Sequence, residues 1–189
     1  DCATDIPLVS PLEAHLRTLH TLCNNADVTS HHLVLGNGSR QLLLAAIYAL
    51  RKQANSSLFV DSKAPFYPAY GRVCSVNPSL GQWVGSELDW TGGLTIEPSS
   101  TSDQPIADRD TLSIHCIPNN PDGFSPSKEE VERLYDSSCI LDLSYYWPHF
   151  LGAVQCAPLG HKILLFSLSK LTGHGGLRFG WSWVKDEKI

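Results

Sequence analysis

The chain has 189 residues, 42% of them hydrophobic and 17% charged, with a formal net charge of -5. That length fits one large domain with a substantial core, and the acidic balance gives no reason to expect nucleic acid or an anionic membrane as partner. No apolar run approaches the ~20 residues of a membrane span and no leading charged-then-apolar segment has the form of a signal peptide, so a soluble, cytoplasmic protein is expected.

Ser10-Pro11-Leu12-Glu13 has the form of a capping box with proline at the first helical position. Leu12, Leu16, Leu19 and Cys23 then recur at helical spacing and predict an amphipathic helix to about Asn24. Residues 31–35 read as a short strand ending in Gly36-Asn37-Gly38-Ser39, and 40–52 as a largely buried helix. Strand, glycine turn and helix in that order aim backbone N–H groups and the helix dipole at an anion, though many such turns need glycine for geometry alone. Residues 57–61 form the next strand, followed by Pro65-Phe66-Tyr67-Pro68-Ala69-Tyr70; 72–76 and 82–84 read as further strands. The stretch 91–110, rich in Ser, Thr, Gly, Pro and Asp, is expected to be a long surface excursion.

Residues 112–117 are strand-like and lead into Pro118-Asn119-Asn120-Pro121-Asp122-Gly123, which is composed of turn residues. Ser127-Lys128-Glu129-Glu130 starts a capped helix through roughly Tyr135. Cys139-Ile140-Leu141 is an apolar stretch closed by Asp142, and 163–168 and 179–184 complete the strand set. The six cysteines are widely spaced with no Cys-x-x-Cys pair, and the eight histidines include no His-Glu-x-x-His, so neither a zinc site nor a dense disulfide framework is expected. Strands alternating with helices, with the motifs at strand C-terminal ends, fit an open, mostly parallel α/β sheet that binds ligands outside those ends.

The chemistry concentrates in Ser167-Leu168-Ser169-Lys170-Leu171-Thr172-Gly173-His174-Gly175-Gly176-Leu177-Arg178. Lysine can form a Schiff base with an aldehyde cofactor, and hydroxyls, turn N–H groups and a guanidinium suit a phosphate. A reactive amine beside an anion-binding cup is what pyridoxal 5′-phosphate requires; taken alone, the segment is equally an exposed lysine in a loop. Asp142, at the end of a buried strand, has the position to hold a pyridinium nitrogen protonated or, more commonly for aspartate, to cap a helix.

Five motifs in order carry a resemblance: Gly-x-Gly-Ser, Ala-Pro-Phe-Tyr, Pro-Asn-Asn-Pro-Asp-Gly, Asp-x-x-Tyr-Tyr-Trp-Pro-His and Ser-x-Ser-Lys-x-x-Gly-His. From about Leu33 to Lys185 the chain resembles the fold-type-I pyridoxal-phosphate enzymes, and within them the alliinase and tryptophan-aminotransferase-related branch. The resemblance implies the large domain of the aspartate-aminotransferase fold, a mostly parallel seven-stranded sheet flanked by helices, occupying residues 1–189. Members of the family carry a small C-terminal domain beyond the region matched, and the chain contains no methionine, so it is expected to be the cofactor domain of a longer protein, a homodimer when full length.

Residue by residue, the resemblance implies that Lys170 carries the cofactor covalently and shuttles the Cα proton, while Asp142 pairs with the ring nitrogen. Tyr145 and Asn120 bond the 3′ oxygen, and Tyr67 stacks on the ring, with Phe66 or Tyr70 as alternatives. Gly38, Ser39, Ser167 and Arg178 hold the phosphate, joined by Arg40 and Ser169. Arg40 stands where threonine is usual, Ser144 where alanine is usual, and Gly175 and Leu177 where alanine and serine are usual, so the phosphate cup departs most from the family pattern. The implied activity is transamination of an amino acid, with L-tryptophan to indole-3-pyruvate, an auxin-biosynthesis step, as the specific expectation. The alternatives are carbon–sulfur lysis of alkyl-cysteine sulfoxides and a non-catalytic remnant of the cofactor domain.

Overall fold

The computed structural model describes residues 9–55, 57–85, 87–88, 94–95, 110–134, 138–151 and 156–185. In chain order these form α1 (Val9–Cys23), β1 (His32–Gly36), α2 (Ser39–Gln53), β2 (Leu58–Asp61), α3 (Ala69–Val76), β3 (Gln82–Trp83), β4 (Glu87–Leu88), β5 (Leu94–Thr95) and β6 (Asp110–Cys116). There follow α4 (Lys128–Glu132), β7 (Cys139–Asp142), α5 (Pro148–Leu151), β8 (Ile163–Ser167), α6 (Leu168–Leu171) and β9 (Gly180–Val184).

Seven strands make one sheet in the order β1-β9-β8-β7-β6-β2-β3. The run β8-β7-β6-β2-β3 is parallel, and β9 lies antiparallel between β8 and β1. Strands β7, β8 and β9 are buried throughout their central residues, as expected where both faces of a sheet are covered. Alternation along β8 divides the interior: Leu164 and Phe166 face a core with Leu16, Trp147, Trp181 and Trp183, whereas Ile163 and Leu165 face a core with Leu42, Ile47, Tyr70 and Ile114. Helix α1 serves the first core, and α2 and α3 serve the second.

Two expectations need correction. The segment 72–76 is not a strand but the end of α3. Its valines favour extended structure, but Ala69, Tyr70 and Cys74 share a buried helical face, and that packing overrides a weak local preference. Helix α1 begins at Val9, so Ser10 lies inside it instead of capping it ahead of Pro11. Lys170 stands on α6, a single helical turn whose Ser167 cap accepts a hydrogen bond from the Ser169 N–H. By contrast, the capping box at Ser127 and Glu130 forms in both directions, at 3.2 and 2.8 Å. Within the predicted excursion, Leu94–Thr95 pairs with Glu87–Leu88 and Asp110 opens β6; residues 91–93 and 96–109, and Tyr135, lie outside the described residues.

Candidate active site

Parallel strands end on the same side of a sheet, so the residues that terminate β6, β7 and β8 (Cys116, Asp142 and Ser167) meet at one edge. They border a cavity of about 460 Å³. The cavity gathers, from segments distant in sequence, Ser39, Arg40, Tyr67, Asn120, Asp142, Tyr145, Ser167, Ser169, Lys170 and Arg178. Gly38, the remaining predicted residue, is buried directly behind Arg178.

Asp142 is the buried carboxylate of the cavity. Its Oδ2 accepts a hydrogen bond from the Tyr70 hydroxyl at 2.9 Å, and its Oδ1 accepts from the Ser144 hydroxyl at 2.6 Å and the Ser144 N–H at 3.1 Å. Burial and the adjacent Asp142 charge push the Tyr70 phenol well above the usual range, so it stays a neutral donor. Burial likewise drives the Cys116 thiol far up, which keeps it protonated and removes it as a nucleophile. The alternative of Asp142 as an ordinary helix cap fails geometrically: its backbone partner is Ser144, in the turn that carries Tyr145 and Trp147.

Across the cavity, the Lys170 amine lies 5.2 Å from the centre of the Tyr145 ring and is exposed. Ser169 Oγ is buried without a hydrogen-bond partner, an arrangement that is costly unless something else supplies one. Arg178 is anchored from two sides, donating to Gly175 O at 3.0 Å and Asn37 O at 3.4 Å. Gly38 has φ +80°, a backbone region that disfavours any side chain, and a Cβ there would push the Arg178 guanidinium aside. No side chain caps α2, whose first-turn N–H groups follow this glycine. Arg40 donates to the Tyr67 hydroxyl at 2.9 Å.

Among the three aromatic candidates, Phe66 is turned into the core against Trp83, with ring centres 5.1 Å apart. Tyr67 and Tyr70 both border the cavity, with rings perpendicular and 5.7 Å apart. Tyr70 is tied to Asp142, leaving Tyr67 as the aromatic with a half-exposed face. Asn119, next to the predicted Asn120, ties the two loops together by donating to Pro65 O at 2.8 Å. The sequence did not reveal that Tyr70 and Ser144 converge on Asp142; the only signal was the departure from alanine at position 144.

A family model described as allinase, the alliinase C-terminal domain, matches residues 4–189. The chain belongs to the alliinase family. It is 36% identical over 180 residues to tryptophan aminotransferase-related protein 1 of Oryza sativa subsp. japonica, covering 94% of this chain and 36% of that protein. To an alliin lyase of Allium cepa var. aggregatum it is 31% identical over 188 residues, covering 94% of this chain and 37% of that protein. This alliinase-family chain therefore spans about a third of the length of the curated relatives it matches. Its fold is that of the fold-type-I aminotransferases. Aminotransferase AspB from Helicobacter pylori superposes with a TM-score of 0.66 at 21% identity, over 92% of this chain and 49% of that one. Among the described residues no helix is long and apolar enough to cross a membrane, and no cluster of metal-ligating side chains occurs.

Proposed function

We propose that this protein binds pyridoxal 5′-phosphate and transfers the amino group of an amino acid. The observation that carries this is one cavity uniting an amine (Lys170), a buried carboxylate (Asp142) and a cup of hydroxyls and guanidinium (Ser39, Ser169, Arg178). The donor set matches the ligand: an aldehyde for the amine, a basic ring nitrogen for the carboxylate, a phosphate for the cup. The unpartnered Ser169 hydroxyl is a feature a bound phosphate would account for.

When bound, the cofactor supplies an electron-withdrawing ring that makes the substrate Cα–H acidic. The residues then divide the work. Lys170 holds the cofactor covalently and moves the proton at Cα. Asp142 holds a proton at the ring nitrogen. Tyr145 and Asn120 hydrogen-bond the 3′ oxygen, and Tyr67 covers the ring and excludes water from it. Gly38 and Ser39 at the start of α2, with Ser167, Ser169, Arg40 and Arg178, orient the phosphate.

L-Tryptophan is the substrate this reading favours, giving indole-3-pyruvate, because tryptophan aminotransferase-related proteins of Oryza sativa match at 36% and 34%. Carbon–sulfur lysis is the second reading, favoured by the alliin lyases that match over 94% of the chain. The working form is taken to be a homodimer. The test is to add the cofactor, reduce with borohydride and map the label. Lys170 should carry it, and Lys170→Ala should carry none; labelling elsewhere would overturn the assignment. Product analysis with tryptophan plus a keto acid, against an alkyl-cysteine sulfoxide, separates the two activities, and binding without either product would mark a non-catalytic domain.

A further inference from the structure

The hydrogen bonds on Asp142 have a bearing on where a proton would sit. A carboxylate has about four lone-pair sites. Oδ1 receives two donors, the Ser144 hydroxyl at 2.6 Å and the Ser144 N–H at 3.1 Å, and Oδ2 receives the Tyr70 hydroxyl at 2.9 Å. One acceptor site remains, on Oδ2, and Asp142 borders the cavity. Among the described residues no cation forms an ion pair with this buried carboxylate, so its charge is carried by hydroxyl and amide donors alone.

We propose that Ser144, assisted by Tyr70, fixes the proton shared between Asp142 and the ring nitrogen of a bound cofactor on the nitrogen. Ser144 is thus a positioning residue that acts through Asp142. This rests on the cofactor reading above. In a buried site the charged pair, carboxylate with protonated ring, competes with a neutral pair in which the proton has crossed to the carboxylate. Each donor to the carboxylate favours the charged pair, because hydrogen bonds to an ionised group are the stronger ones. Tyr70 cannot reverse the effect by ionising, since burial and the charge of Asp142 keep its phenol protonated. Ser144 also reaches the cup: its oxygen lies 3.4 Å from Ser39 Oγ. Its single proton is committed to the shorter contact with Asp142, so across the longer contact Ser144 Oγ can only accept.

The test uses the full chain and its Ser144→Ala and Ser144→Thr variants, each loaded with pyridoxal 5′-phosphate. Absorbance of the bound cofactor is titrated against pH, and melting is followed alongside. Loss of the hydroxyl should move the midpoint of the visible band up by about one pH unit, because a ring that gives up its proton no longer repels a second positive charge nearby. Threonine, which keeps the hydroxyl, should return the midpoint toward the parent value. A merely structural role would lower the melting temperature and leave the midpoint in place, which would overturn the proposal. So would an unchanged midpoint in a well-folded Ser144→Ala. If the parent chain binds no cofactor at Lys170, the functional reading fails, and this inference falls with it. If it binds and only the Ser144 effect is missing, the functional reading stands.

Discussion

Two polar clusters are buried on opposite faces of the same sheet, and they differ in how completely they satisfy themselves. On the α1 side, His20 is fully buried among Trp147, Phe166, Trp181 and Trp183. Its Nε2 accepts from the Trp181 indole at 2.9 Å, which fixes the tautomer, and its Nδ1–H donates to Asn25 Oδ1 at 2.7 Å. Asn25 then donates to Tyr146 O at 2.9 Å. Both ring nitrogens of His20 and both amide atoms of Asn25 have partners within the protein, although the neighbouring Trp183 indole N–H has none. On the other side, Asp142 keeps an acceptor site, Ser169 keeps an unpartnered hydroxyl, and Lys170 stands exposed. The first cluster joins α1 to the sheet. The second is complete only with something added, and that contrast separates a structural polar core from a candidate binding site.

The largest expected effect lies in the open cluster. Asp142→Asn should retain some cofactor but lose about a thousandfold in turnover, since a preorganised charge opposite the developing charge is removed. Near-normal rates in that variant would show that the ring nitrogen is not paired here.

Next comes the closed cluster. His20→Ala should destabilise the fold by about 3 kcal/mol, through an aromatic-lined void and two stranded partners, Asn25 and Trp181. Denaturant unfolding measures it, and a loss under about 1 kcal/mol would contradict the structural role. The same residue makes stability pH-dependent. Burial lowers its pKa from 6.5 to about 4, against a smaller opposing effect of the Asn25 hydrogen bond. The neutral ring is therefore the form the fold accepts. Its contribution is fully present above pH 6.5 and is lost as pH falls toward 4, by about 3 kcal/mol in all. The His20→Gln variant should lack that acid-side decline.

The smallest effect is a local one. Gly38→Ala places a side chain in a backbone region that glycine alone occupies comfortably, at a cost of about 1–3 kcal/mol, and displaces Arg178. Binding of inorganic phosphate, followed calorimetrically, should weaken while Asp142 variants leave it intact; equal loss in both would mean that the two ends of the cavity are not separable.

Much of the architecture was legible along the chain. Hydrophobic runs bounded by turn residues placed the central strands to within a residue or two, because β7, β8 and β9 are covered on both faces and so are continuously apolar. The capping box at Ser127 was readable because both of its bonds are local. Residues 72–76 were misread for the converse reason: a short segment rich in valine is ambiguous until it is known what packs on it. His20 was visible only as a histidine four positions after Leu16 on an apolar helical face, a signal too common to single out.

For the site, the sequence determined which chemical groups exist and, through ordered motifs, that Lys170, Asp142, Asn120 and Arg178 belong in one arrangement. It also determined that each falls at or just beyond the C-terminal end of a strand or, for Arg178, ahead of one. Only the tertiary structure decided that Phe66 turns inward while Tyr67 and Tyr70 border the cavity, and that Tyr70, 72 positions before Asp142, is its hydroxyl partner. Hydrogen bonds and contacts of that kind depend on where separate strands end relative to one another. Register and packing fix those positions, and no local pattern encodes them.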